Sequence, residues 1–406
     1  MKILQINTVD TRGGAAKVAY RLKNGLNDLG HKADMIVARK YSQDTDVHLL
    51  RPYSRLREKI VRKLTYWLAD DLDFSPSKHI RKIQSYREAD IINLHNIHSN
   101  YFNLGTLPLI TRDKPTVWTL HDMWALTAHC GYAMGSQTFN GFFQCQDLNS
   151  YPPIAWHNEK YLEWKKRKIY KQSNFNIVVP SHWLLDKVKQ TVLAEKPASV
   201  IYNGIDVKVF NPKPQQKMRE KLGLPKDKFI ILFASKGGLD QQRKGYDFVQ
   251  SISQSLKNNP NVLCLIIGGD QTVKTSNLIK TGYIDDESLL AKYFSAADIF
   301  LFPSTADNCP LVVLEALACG LPVVSFATGG IPELVEHQKI GYIARYKDSE
   351  DLAAGVRWML TLSPAERNVM REAAVSKILS GFTLDHMTKQ YLELYESMLK
   401  TRRENP

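Results

Sequence analysis

The sequence predicts an α/β protein built from two doubly wound parallel sheets, and three observations carry the prediction. Short aliphatic runs alternate with amphipathic helical stretches, this alternation occurs twice, and 406 residues are too many for one ordinary core. The first round offers KILQIN (2–7), ADMIVA (33–38), DIINLH (90–95), TVWTLH (116–121) and FNIVVP (175–180). The second offers KFIILFA (228–234), NVLCLIIGG (261–269), DIFLFP (298–303), LPVVSF (321–326) and IGYIA (340–344). Runs this continuously apolar suit strands buried on both faces of a parallel sheet. Helical periods lie between them, as in the stripe Val18, Leu22, Leu26 and Leu29. Proline, glycine and lysine punctuate the chain after LAEKPASV, which places the boundary at 195/196. A terminal helix over 382–400 sets Leu384, Met387, Tyr391, Leu394, Tyr395 and Met398 on one face.

Composition narrows the function. Hydrophobic residues at 44% and charged residues at 23% read as globular rather than disordered. The opening MKILQINTVD reads as a strand and not a signal peptide, and no run is apolar enough to span a membrane. Five cysteines, at 130, 145, 264, 309 and 319, are too few and too scattered for a disulfide framework and fit a reducing cytoplasm. The net charge of +13 points to nucleic acid, an anionic membrane surface or phosphorylated small molecules. No helix-turn-helix, zinc-finger or RNP-like pattern supports nucleic acid. The charge concentrates in 51–69, where Leu56, Ile60, Leu64 and Trp67 recur at helical spacing beside a basic face, and in 160–171. Each segment is either a solvated helix packed on its domain or an attachment to anionic lipid headgroups.

In open α/β sheets ligands bind outside the carboxyl ends of the strands, and two such sheets facing across a cleft bring those ends together. Gly13 and Gly14 follow the first strand, where paired glycines make a plain βα turn or let backbone approach an anion at the helix N-terminus. His121 and Asp122 end the strand TVWTLH, suited to proton or hydrogen-bond work or satisfied by neighbouring backbone. His129, Cys130 and Cys145 lack the paired spacing of a zinc site. In the second round Lys236, Arg243 and Lys244 put three cations on a glycine-containing loop, where they neutralise a leaving diphosphate or merely meet water. DNCPLVVLEALACG (307–320) then places Asp307 over the entrance of a helix opened by Pro310, with Glu315 further in. Carboxylates so placed accept charge-assisted hydrogen bonds from sugar hydroxyls.

Taken together, GGAAKVAYRL, TLHDMW, VPSHWL, IYNGID, RKGYDF, FPSTADNCPLVVLEALACGLPVV and TGGIPELV resemble, in order and spacing, a retaining glycosyltransferase of family 4. The resemblance covers nearly the whole chain. It implies the GT-B fold: two Rossmann-like domains facing across a cleft, 1–195 for the acceptor and 196–384 for the donor, with a helix from about 385 to 406 returning to the first. It also implies sugar transfer from a UDP- or GDP-linked donor to a hydroxyl of a glycan or polyprenyl-linked acceptor, without a metal or other cofactor. The substitutions resemble a branch tied to bacterial exopolysaccharide and O-antigen assembly, at the inner face of the membrane. Carried over position by position, Glu315 holds ribose, Asp307 the donor sugar, Lys244 the diphosphate, Gly282 the base, and His121 the sugar beside the acceptor. Gly14, near the phosphates, completes the donor side with Asn308 and Leu311, while Gly13, Gly14 again, His121 and Asp122 form the acceptor side. Two departures stand out. Asp307 replaces the family's first Glu and shortens its reach by one methylene, and Gly238 falls where the family often has Arg, leaving that charge to Lys236 or Arg243. A nucleotide-sugar epimerase and a non-catalytic nucleotide-sugar-binding protein are the alternatives.

Overall fold

The computed structural model describes all residues except 52–53, 71–76, 99–100, 146, 236–241 and 405–406, and leaves undescribed the side chains of 78, 242, 270 and 271. The chain forms two compact units, Met1–Tyr202 with Asp385–Pro406, and Asn203–Leu384.

The first unit holds β1 (Lys2–Val9), β2 (Lys32–Arg39), β3 (Val47–Leu49), β4 (Ile91–Leu94) and β5 (Thr116–Thr119). A small hairpin of β6 (Thr138–Phe139) and β7 (Phe142–Phe143) follows, then β8 (Asn176–Val179) and β9 (Ala198–Val200). The large strands make one parallel sheet in the order β3-β2-β1-β4-β5-β8-β9. The second unit holds β10 (Phe229–Ala234), β11 (Val262–Lys274), β12 (Leu278–Gly282), β13 (Ile299–Phe302), β14 (Val323–Phe326) and β15 (Gly341–Ala344), ordered β12-β11-β10-β13-β14-β15. Every aliphatic run read as a strand forms one. The short β3, β9 and β12 lacked an apolar signal of their own. Because β9 pairs with β8, the division falls after Tyr202 rather than 195.

Each sheet has one point where the winding reverses. In the first, β1 sits between β2 and β4; in the second, β10 sits between β11 and β13. The crevice beyond the carboxyl ends of such a strand pair is where open α/β sheets take ligands.

The helix Gly14–Asp28 buries Val18, Leu22 and Leu26, whereas Leu29 follows its end and is exposed. The terminal helix Leu384–Glu404 buries Met387, Thr388, Tyr391 and Tyr395. Its Thr388 fills the space that a Cβ on Gly25 would need, 2.4 Å from that position. Deeper in, Asn93 Nδ2 donates to the Tyr395 hydroxyl at 2.9 Å, and the Tyr391 hydroxyl lies 3.0 Å from Thr119 Oγ1. The helix thereby closes the underside of β4 and β5.

Contrary to the expectation from their spacing, two of the five cysteines pair. Cys130 and Cys145 form a disulfide, their Cα atoms 5.9 Å apart, because the chain between them folds back through the β6–β7 hairpin; Cys264, Cys309 and Cys319 are buried thiols. Among the described residues no helix is long and apolar enough to cross a membrane, and no three His, Cys, Asp or Glu side chains gather as a metal site.

Candidate active site

In the second unit the reversal point is built by two loops. One follows β10 and carries Arg243 and Lys244; the other follows β13 and carries Ser304 to Pro310. Gly245 lets them touch. Its φ is +74°, and a Cβ there would stand 1.9 Å from the Pro303 carbonyl oxygen, so only glycine fits. Arg243 then ties the loops together: its carbonyl accepts from Thr305 N at 2.8 Å, and its Nη1 donates to the Ala306 carbonyl at 3.0 Å. Lys244 Nζ forms an ion pair with Asp307 Oδ2, which also accepts from Ser304 Oγ at 3.1 Å and has Arg243 Nη1 at 4.0 Å. Burial pushes Lys244 below the usual lysine range, and the Asp307 charge offsets only part of that.

The loop bearing Asp307 is anchored from three further sides. Thr328 Oγ1 donates to the Ser304 carbonyl, Asn203 Nδ2 to the Cys309 carbonyl, and Gly330 N to the Asn308 carbonyl, all within 3.0 Å. A Cβ on Gly329 would meet the Asp307 carbonyl oxygen at 1.9 Å. The motifs TGGIPELV and IYNGID thus have a common local purpose, which is to fix the backbone around Asp307. Pro310 caps the helix Leu311–Ala318 rather than occupying its first turn. Leu311 and Asn308 are buried at its mouth, and Glu315 is 4% exposed among aliphatic neighbours on the same helix. Gly282 ends the edge strand β12 with φ +74°. Lys236 and Gly238 lie outside the described residues.

In the first unit the strand ends bring imidazoles together. His95 follows β4 and His121 follows β5, with His95 Nδ1 2.9 Å from His121 Nε2 and their rings stacked at 5.2 Å. His95 Nε2 is 2.6 Å from Gln5 Oε1 on β1. With that oxygen as acceptor, His95 carries its proton on Nε2, so His121 donates from Nε2 and presents Nδ1 as an acceptor. Burial lowers His121 to about 4, against the opposing charge of Asp122. Burial would raise Asp122, but His98, at 3.2 Å, and the Trp124 backbone N–H outweigh it and hold the carboxyl below its ordinary value. Gly13 has φ +99° and precedes the helix Gly14–Asp28, with open space where a Cβ on either glycine would project. This glycine turn follows β1 and His121 follows β5; β4 and its His95 lie between them. Sequence reasoning missed His95, Gln5 and Ser304. His95 had a signal, since it closes the run DIINLH, but Gln5 sits inside an apolar strand and Ser304 in a loop of small residues.

Residues 12–209 match Glycosyltransferase Family 4, and residues 214–377 match Glycosyl transferases group 1. The chain belongs to glycosyltransferase family 4. Among its relatives is the putative colanic acid biosynthesis glycosyl transferase WcaC of Escherichia coli, 24% identical over 83% of this chain and 85% of that protein. Another is the N-acetyl-alpha-D-glucosaminyl L-malate synthase of Bacillus anthracis, 25% identical over 55% of this chain; the match spans 60% of that enzyme's length. Among solved structures, sucrose-phosphate synthase from Thermosynechococcus elongatus superposes with a TM-score of 0.74 at 19% identity, covering 98% of this chain and 99% of that one. HepE from Anabaena, in complex with UDP-glucose, superposes with a TM-score of 0.65 at 18% identity, covering 98% and 100%. The family 4 member described here therefore has the GT-B fold of two Rossmann-like parallel-sheet domains.

Proposed function

We propose that this family 4 glycosyltransferase moves a sugar from a UDP- or GDP-linked donor to a hydroxyl of a glycan or polyprenyl-linked acceptor, with retention at the anomeric carbon and without a metal. Bacterial surface polysaccharide assembly is the setting this reading favours, and the colanic acid relative supports it; we place the reaction at the cytoplasmic face of the membrane. The observation that carries the reading is the partly buried Lys244–Asp307 pair at the reversal point of the second sheet, with Arg243 beside it. It offers cations for a diphosphate and a carboxylate for sugar hydroxyls in one preorganised place.

The reaction breaks the bond from the anomeric carbon to the diphosphate oxygen and makes one to the acceptor oxygen; the acceptor's proton leaves with the diphosphate. Lys244 and Arg243 meet the charge that develops on the leaving group, in the role a divalent ion fills elsewhere. Asp307, released from Lys244 as the diphosphate arrives, turns to the sugar. Glu315 takes the ribose hydroxyls, the backbone at Gly282 takes the base, and Asn308 and Leu311 line the donor's path. The first unit takes the acceptor: Gly13 and Gly14 give it open backbone, while Asp122 holds the turn on which neutral His121 offers Nδ1 to a hydroxyl. A panel of UDP- and GDP-sugars, incubated with and without chelator, tests this. Acceptor-stimulated release of UDP or GDP, insensitive to chelation and yielding a product of unchanged anomeric configuration, is expected. An isomerised donor, or tight binding without turnover, would replace the proposal with the epimerase or the binding-protein reading.

A further inference from the structure

The two basic segments, 51–69 and 160–171, are far apart in sequence and adjacent in the first unit. The last carbonyls of the helix Arg55–Trp67, at Tyr66 and Trp67, and that of Ala69 in the turn after it accept hydrogen bonds from Ala155 N, Trp156 Nε1 and Asn158 Nδ2, at 3.0, 3.0 and 2.9 Å. Lys165, on the helix Glu159–Lys171, stands 3.9 Å from Asp70. One continuous surface results.

Its apolar residues are not core. Among its described residues the helix Arg55–Trp67 buries Val61 and Thr65. At 100° per residue its other apolar line, centred near Ile60, lies about 120° around the axis from that buried edge. Leu56, Ile60, Leu64 and Trp67 are accordingly 70%, 49%, 41% and 67% exposed, and Trp164 on the neighbouring helix is 57% exposed. An apolar stripe on a helix that does not face the core requires another partner. Arg55, Arg57, Lys59, Arg62 and Lys63 surround it and are all exposed. Among the described residues nearby, Glu58 pairs with Arg39, Asp70 faces Lys165, Glu159 meets His157, and Glu163 is buried.

We propose that this face docks on an anionic lipid surface. Leu56, Ile60, Leu64 and Trp67 enter the headgroup–acyl boundary, Trp164 sits at headgroup level, and the lysines and arginines meet the lipid phosphates. A second copy of the chain is a poor occupant, because a two-fold contact here would set the five cations against their own images. Lipid docking by this face is independent of the transfer reaction.

Flotation of the full chain with phosphatidylcholine vesicles, with and without phosphatidylglycerol, tests the proposal without any sugar donor present. Flotation with the anionic vesicles only, weakened by salt, is expected. Replacing Ile60 and Leu64 with Ser should reduce partitioning by about tenfold or more, and changing the five cations to Gln by about a hundredfold or more. All these side chains are exposed, so the melting temperature should not move and serves as the folding control. Binding to both vesicle types alike, no binding, or unchanged partitioning of the variants would each overturn the proposal. So would vesicle-independent dimerisation lost on Ile60→Ser, seen by sedimentation velocity.

Discussion

Replacing Lys244 with Met separates the energetics of the ion pair from its chemistry. At a charge-assisted separation of ~2.8 Å and an effective dielectric constant of ~20, the gross attraction to Asp307 is about 6 kcal/mol. Burial outweighs that attraction, since Lys244 still sits below its ordinary pKa. The pair as a whole is therefore close to neutral for stability, whereas removing one partner strands the other charge. A fully buried pair loses ~3–5 kcal/mol in that way. With 19% and 14% of the two side chains still exposed, about 2 kcal/mol is the fitting figure. Lys244→Met and Asp307→Asn should then each lower the melting temperature of a unit this size by ~4–8 °C. The double variant should lose about 1 kcal/mol instead of the ~4 that independent sites would give. Activity should follow a different rule. Loss of a preorganised cation from a developing anion is worth ~3–4 kcal/mol, so kcat/KM for nucleotide release should fall about 10²–10³-fold in Lys244→Met, with no recovery in the double variant. Thermal melts and a coupled nucleotide-release assay on the four proteins read both quantities. Additive melting shifts, or a Lys244→Met enzyme within about fivefold of wild type, would refute the reasoning.

Gly245→Ala should leave a folded protein whose Lys244 loop is pushed off β13, since the added Cβ would stand 1.9 Å from the Pro303 carbonyl; donor affinity by calorimetry should fall about a hundredfold. His121 gives a pH dependence. Its folded pKa of about 4 lies below the unfolded value of ~6.5, so its contribution is complete above pH ~6.5 and is lost as pH falls toward 4. That amounts to about 2 kcal/mol at pH ~5, and melts of His121→Asn against wild type between those limits should show a shallower acid slope in the variant. Glu315→Gln keeps the shape of a buried side chain and should weaken nucleotide binding about tenfold, read by competition with free UDP or GDP.

The fold was legible because parallel strands must be apolar on both faces, and ten such runs stand in the sequence between helical periods. Strands such as Val47–Leu49 and Ala198–Val200 were illegible because they are short and only partly buried, so pairing rather than burial defines them. At the site, the charged residues and glycines announced themselves by position at strand ends. Their partnerships did not. Spacing set Asp307 and Glu315 on one segment, but it gave no hint that Lys244, 63 residues earlier, would hold Asp307. The same limit applied to the segment 51–69, whose periodicity showed an apolar stripe without showing which side of the helix met the protein.

The terminal helix carries a consequence for how the protein is made. Tyr391 and Tyr395 bond to Thr119 and Asn93, so the first sheet is sealed by residues translated after the whole second unit. On the ribosome the second unit can finish folding while the first still exposes the underside of β4 and β5. The order of completion is thus the reverse of the order of synthesis. Ribosomes stalled before residue 384 should hold a first unit that chaperones bind and proteases cut, and release of the last helix should end both.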